Sequence, residues 1–350
     1  MKHRFNYEWT LADAKFTKDK GKVFSCFACG GGSTMGYKLA GFDVLGCNEI
    51  DPKMIEAYKA NHKPKYAYLE PIQTFKLRKD LPKELYELDI LDGSPPCSSF
   101  SMAGNREKDW GKDKVFREGQ AMQVLDTLFF DFIDLANELQ PKVVVAENVK
   151  GLLMGAAKSY VIEIYKAFDK AGYIVQHFLL DASKMGVPQR RERVFFIALR
   201  KDLCEQFIEQ KDMFTFAPKL EMNFNEPEIH FYKIKENDKN RKPLNKGYLK
   251  YFNNTDNTGR SKAKSGNTFG FYYKALDNLV CSTITSGGAV SIEDAPCFLN
   301  KNEFCKVGSF PIDYNFNKNE PQYLIGMSVP PVMTAQIATE IYTQWLSNIL

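Results

Sequence analysis

A glycine-rich turn between a strand and a helix constrains this chain more than any other feature. Lys22 to Phe27 is a short apolar run that passes into Ala28-Cys29-Gly30-Gly31-Gly32-Ser33, and Met35, Tyr37, Leu39 and Ala40 follow at helical spacing. Glycines there let a ligand approach the backbone, and the helix N-terminus behind them favours a negative group. Val44 to Glu49 reads as a second strand ending in a carboxylate, 18 residues after Gly31. An acid ~20 residues beyond such glycines is the one that hydrogen-bonds a ribose hydroxyl in dinucleotide-type folds. The glycines alone make a tight turn, and Glu49 alone is a surface carboxylate. Together they point to an adenosine-containing ligand on a doubly wound α/β fold.

Two further strands complete the expected sheet. Lys142 to Ala146 is a β-branched run ending at Glu147-Asn148-Val149, and Arg193 to Leu199 begins just after Gln189-Arg190-Arg191-Glu192-Arg193. Asp126 to Leu139 carries apolar residues at helical spacing and is predicted as a core helix. Leu88 to Leu91 is a short strand leading into Asp92-Gly93-Ser94-Pro95-Pro96-Cys97. Two prolines fix φ near about −65° and remove two donors, so Cys97 is expected on a stiff turn at a strand's C-terminal end, placed as a nucleophile. Without that context Cys97 is a small hydrophobe, Glu147-Asn148 a cap and the arginines a solvated patch.

With 350 residues, 44% of them hydrophobic, the chain has material for one large domain and a smaller second one. Eight cysteines show no small-scaffold spacing, and no N-terminal basic segment is joined to an apolar run and cleavage site. These features predict reduced thiols in a cytoplasmic protein, and no apolar run approaches the ~20 residues of a membrane span. Cys26-x-x-Cys29 has its second cysteine inside the glycine turn and no partner pair, so it reads as structural and no metal is expected. Charge is uneven: Lys233 to Lys274 holds eleven Lys or Arg against three Asp or Glu, which leaves the rest of the chain at −4. Seven Tyr or Phe lie among them, a mixture suited to phosphate contact and base stacking, although a solvated, loop-rich insertion has the same composition.

The ordered series Phe27-Ala28-Cys29-Gly30-Gly31-Gly32, Glu49, Pro95-Pro96-Cys97, Glu147-Asn148-Val149, Gln189 to Arg193 and Gly326-Met327-Ser328-Val329-Pro330 resembles, in order and spacing, the cytosine carbon-5 DNA methyltransferases of bacterial or phage restriction-modification type. The resemblance runs from about Val23 to about Ala338. It implies a Rossmann-like, doubly wound S-adenosylmethionine-dependent methyltransferase domain, residues 1–204 and 296–350, with a small irregular target-recognition domain, residues 205–295.

The chemistry implied by the resemblance gives each residue a role. Carbon 5 of cytosine is too weakly nucleophilic to be methylated directly, so Cys97 would first add as thiolate to carbon 6. Glu147 would contact N3 and the amino edge of the base while transiently protonated. Arg191 would hydrogen-bond O2, and Arg193 would support the same corner. Around S-adenosyl-L-methionine, Phe27 would lie against the adenine or the methionine portion and Gly31 would line the methionine end, with Ala28, Cys29 and Gly30 in the same turn, Glu49 on the ribose hydroxyls and Ile50 on the adenine. Pro96 and Leu128 would close the pocket, and Ile72 is a further expected cofactor-binding residue. Ser328 and Val329 would complete it from the far C-terminus, so the last helix must return beside the first strand. Implied partners are double-stranded DNA with the target base flipped out and a cognate restriction endonuclease acting separately. The chain itself is expected to be a monomer.

The chain departs from the family pattern in four places: Cys29 stands at a turn glycine, Met327 at a usual Asn, Pro71 at the acid expected before Ile72, and Ser98 at a common Gln. Ser98 to Gln120, with Gly104, Gly111 and Gly119, is expected to form a mobile lid. Two other readings stand. One is the family branch that methylates transfer RNA, whose Cys-Phe-Thr sequence is missing before Thr283; the other is a catalytically silent DNA-binding protein with the same fold.

Overall fold

The computed structural model describes residues 2–96, 113–114, 123–124, 127–210, 216–261 and 272–349. Seven strands, β1 (Lys22–Cys26), β2 (Asp43–Glu49), β3 (Tyr66–Leu69), β4 (Ile90–Gly93), β5 (Val143–Val149), β6 (Tyr173–Asp181) and β7 (Glu192–Arg200), form one sheet. Their order is β3-β2-β1-β4-β5-β7-β6. β7 runs antiparallel to both β5 and β6, and the other pairings are parallel. The order of connection reverses between β1 and β4, which makes the crevice beyond their C-terminal ends the natural ligand position. The glycine turn follows β1 and the Pro95-Pro96 turn follows β4.

Strand alternation sorts the apolar residues onto two faces. Phe24, Leu91, Val144 and Phe196 pack with α3 (Ile72–Phe75), α4 (Leu128–Leu139) and α5 (Lys158–Lys170). Their neighbours Val23, Ile90, Val143 and Ile197 pack on the opposite face with Tyr37 of α1 (Gly32–Leu39) and with Val332, Met333 and Ile337 of the C-terminal helix Pro331–Gln344. A Cβ on Gly36 would lie 2.4 Å from the Pro331 carbonyl oxygen, so α1 and the last helix meet backbone to backbone. The last helix thus returns to the start of the sheet, as expected.

Two strands escape the periodicity reading. β3 has only four residues, none of them fully buried, and β6 is the opposite edge strand, with six of its nine residues partly or fully exposed. Edge strands carry weaker apolar patterns than central ones. A third apolar cluster joins Met35, Met54 and Ala57 of the first half to Ile229, Phe231, Ile284 and Val290 and to Leu324, so the later segments pack directly onto the α1–α2 side, where α2 is Pro52–His62.

Candidate active site

The glycine turn is held in a strained shape. Phe27 and Cys29 take positive φ of 52° and 49°, as does Gly31 at 85°. Such backbone in a non-glycine residue costs on the order of 1 kcal/mol or more and persists only where its surroundings enforce it. Here the Cys29 N–H donates to Glu49 Oε2 at 2.6 Å, and the Tyr314 hydroxyl donates to the Gly30 carbonyl, with His62 Nε2 3.3 Å from the same oxygen. Glu49 Oε1 accepts from the N–H groups of Ile50 and Asp51 at 2.8 and 2.9 Å. Burial pushes the Glu49 carboxyl pKa up, and these three backbone donors pull it back down.

The structure brings most of the expected cofactor residues to this turn. A Cβ on Gly32 would lie 2.2 Å from the Val329 carbonyl oxygen, so Ser328 and Val329 press against the start of α1. Ser328 Oγ donates to Leu324 O at 2.8 Å and lies 3.6 Å from Cys29 Sγ. Phe27, half-buried, packs on the cluster that contains Ile72 and Leu128. Ala28, Gly30 and Gly31 are buried, Ile50 and Pro96 half-buried. Of the departures, Met327 is exposed at the end of the helix Pro321–Met327, and the Glu70 carboxylate beside Pro71 is engaged by Arg78 at 2.9 Å and Thr74 at 3.1 Å.

The Pro95-Pro96 turn lies at the end of β4. Its Gly93 packs so closely that a Cβ would sit 2.5 Å from the Phe132 ring, and Asn148 Nδ2 donates to the Pro95 carbonyl at 3.1 Å. Asn148, which reads as a cap in sequence, is therefore a clamp on this turn. Cys97 lies outside the described residues, as does the expected lid from Ser98 to Gln120 except Asp113–Lys114, which pairs antiparallel with Gln123–Val124. Six of the seven described cysteines, 26, 29, 47, 204, 281 and 305, have thiols pushed up by burial, Cys29 to about 12. The thiolate is the reactive form, so burial disfavours nucleophilic attack by these six.

Beside that turn, β5 and β7 supply charge. Glu147 Oε1 meets Arg193 Nε at 2.9 Å, both side chains largely buried. Arg191 is 3% exposed. Its terminal nitrogens donate to the carbonyls of Ile284 and Gly326, each at 3.0 Å, and its Nε is buried without a hydrogen-bond partner among the described residues. Burial pushes the pKa of both guanidiniums down, Arg193 adds to this at Arg191, and Glu147 opposes it at both. Gln189 fastens the same corner, accepting from Ile284 N at 3.0 Å and donating to Val307 O at 3.2 Å, while Gln189–Arg190 pairs in parallel with Cys281–Ser282.

Residues 21–343 match the model of the C-5 cytosine-specific DNA methylases. The chain belongs to this family. Among relatives, this chain is 38% identical to the type II methyltransferase M.FnuDI of Fusobacterium nucleatum over 183 residues, 52% of this chain and 48% of that one. It is 36% identical to the type II methyltransferase M.NgoPII of Neisseria gonorrhoeae over 201 residues, 55% of this chain and 54% of that one. The chain thus spans about half the length of these curated relatives. Its fold is similar to that of a mutant of Spodoptera frugiperda DNMT2, with a TM-score of 0.61 at 19% identity over 90% of this chain and 98% of the other. The sheet is accordingly that of a Rossmann-like methyltransferase.

Proposed function

We propose that this methylase transfers a methyl group from S-adenosylmethionine to carbon 5 of a cytosine in a specific double-stranded DNA sequence, through attack of Cys97 on carbon 6 of the flipped base. The observation that carries this reading is the polar corner of Glu147, Arg193 and the unpartnered Arg191 Nε, set beside the turn that leads to Cys97. A buried donor without a partner costs about 1–3 kcal/mol, and the O2 of a cytosine is the acceptor that would satisfy it.

The residues at the glycine turn fit the cofactor. An ionised carboxylate offers about four acceptor positions, and Glu49 fills three with backbone N–H groups, which leaves one for a ribose hydroxyl. Phe27, Ile50, Ile72 and Leu128 would hold the adenine side, and Gly30, Gly31, Ser328 and Val329 the methionine side. When bound, S-adenosylmethionine supplies an activated methyl group on a sulfonium.

The chain's own groups do the rest. The Cys97 thiolate adds to carbon 6 and makes carbon 5 an enamine carbon. Glu147 holds the N3 and amino edge and donates its proton as charge builds at N3, while Arg191 and Arg193 stabilise the charge near O2. Once carbon 5 carries the methyl group, loss of its proton to a base lets Cys97 leave by elimination.

Residues 205–295 are the proposed recognition domain. Lys274 Nζ lies 4.2 Å from the centre of the Phe252 ring and Lys250 Nζ 4.9 Å from that of Tyr251, which stacks near Tyr272; cations over aromatic rings suit an opened duplex. The enzyme would act in the cytoplasm as a monomer, with any restriction endonuclease separate. Among the described residues no helix is long and apolar enough to cross a membrane. The test is methyl transfer from labelled S-adenosylmethionine to mixed-sequence duplex DNA and to bulk transfer RNA, with Cys97→Ser as control. Cys97-dependent label on DNA supports the proposal, label on RNA alone replaces the substrate, and no label on either favours a silent binder.

A further inference from the structure

The carboxyl of Asp92 is the least expected group in the core of this sheet. It sits on β4 after Ile90 and Leu91, both 0% exposed, and is itself 4% exposed. No Lys or Arg pairs with it among the described residues. Its partners are two buried hydroxyls: Ser25 Oγ donates to Oδ2 at 2.6 Å and Tyr37 OH donates to Oδ1 at 3.2 Å. A buried carboxylate without a cation is costly, and an apolar side chain would serve packing better.

The cost has a geometric correlate. Ser25 lies on β1, two residues before the glycine turn begins at Phe27, and Tyr37 lies on α1, which leaves that turn. Asp92 lies on β4, three residues before Pro95. One carboxyl therefore ties the entry and the exit of the glycine turn to the strand that carries the second turn. Beyond Asp92, Gly93 is packed on Phe132 and the Pro95 carbonyl is held by Asn148, so the backbone between these fixed points has little freedom.

The geometry points to Asp92 as a positioning residue that sets the Pro95-Pro96 turn, and through it the Cys97 thiol, against the cofactor turn. This rests on the cytosine methylation proposed above. Facing the carboxyl are Glu147 from β5, Tyr37 from α1, Cys26 from β1 and Tyr58 from α2, none of them a cation. Burial, with Glu147 adding, pushes Asp92 up to about 7. The ionised form accepts from both hydroxyls, whereas the protonated form must donate from one oxygen and turn Ser25 or Tyr37 round. Protonation of the carboxyl would therefore loosen the tie between the two turns.

The test compares wild type, Asp92→Asn and Ser25→Ala for kcat on duplex DNA across pH, cofactor Kd, and the alkylation rate of Cys97 by iodoacetamide read by mass spectrometry. Asp92→Asn should lower kcat about 10- to 100-fold with cofactor Kd little changed, and Ser25→Ala should fall between. The ratio of wild-type to Asp92→Asn kcat should rise with pH through about 7; a merely structural role gives a ratio independent of pH. A ratio that does not vary with pH, or an unaltered Cys97 alkylation rate in Asp92→Asn, overturns the proposal. A wild type that transfers no methyl group to DNA, while Asp92→Asn still alters Cys97 alkylation, overturns the functional reading and leaves the positioning role in place.

Discussion

Arg193 and Glu147 meet diagonally across two antiparallel strands. Glu147 is the register partner of Phe195 and Arg193 that of Val149, so their side chains share one face two residues apart and close to 2.9 Å between Nε and Oε1. Glu147→Gln keeps the shape and removes the counter-charge of a buried guanidinium, which costs about 3–5 kcal/mol when one member of such a pair is lost. Methyl transfer should fall about 10²–10⁴-fold. The double variant Glu147→Gln with Arg193→Met should recover stability toward wild type without recovering transfer, as read by thermal denaturation and steady-state kinetics.

Gly32→Ala tests the contact between the first helix and the Ser328-Val329 segment. The added methyl would lie 2.2 Å from the Val329 carbonyl oxygen, where backbone must shift. A loss of about 1–3 kcal/mol and weaker cofactor binding by calorimetry are expected. Gly287→Ala, with no atom within 4 Å of the added methyl, should change neither.

His62 makes a pH prediction. Burial first, then Lys38, pushes its imidazole from 6.5 down to about 3, and it stays neutral against the Gly30 carbonyl. Below pH 6.5 the unfolded chain takes up a proton that the native imidazole refuses. Its contribution to stability is therefore complete above 6.5 and is lost as pH falls toward about 3. In His62→Gln the fall of the melting temperature across that window should be shallower than in wild type; an identical slope would remove His62 from the account.

Exchange of residues 205–295 for those of another family member should change the DNA sequence that is methylated while cofactor binding persists. Among the described residues the hydrogen bond that Arg191 makes to this segment goes to a backbone carbonyl, that of Ile284, which a change of side chain there leaves in place. Sequencing of methylated sites in the chimera decides it, and unchanged specificity would refute the assignment of recognition to this segment.

The central part of the fold is legible because its elements carry their own patterns. β1, β2, β4, β5 and β7 are apolar runs ended by charge or glycine, and α4 has an apolar face, so local periodicity places them near their observed bounds. β3 and β6 are not legible in this way, since β3 has only four residues and the edge strand β6 interrupts its apolar run with Gln176 and His177. Glu49 is nameable from its spacing to the glycine turn, whereas Glu147 and Arg193 are nameable only through the family resemblance, since alone they read as a cap and a solvated patch.

What the sequence by itself determined is therefore the list of strand-end groups and their order along the chain. Only the tertiary structure decided which of them touch. Asn148 clamps Pro95 from 53 residues away, and Arg191 reaches the carbonyls of Ile284 and Gly326 across 93 and 135 residues. Asp92 binds Ser25 and Tyr37 across 67 and 55 residues. These contacts depend on the order in which the strands lie side by side and on backbone carbonyls that no side-chain pattern records. Periodicity is a local property of the chain, whereas hydrogen bonds over such separations exist only after the sheet has brought its C-terminal ends together.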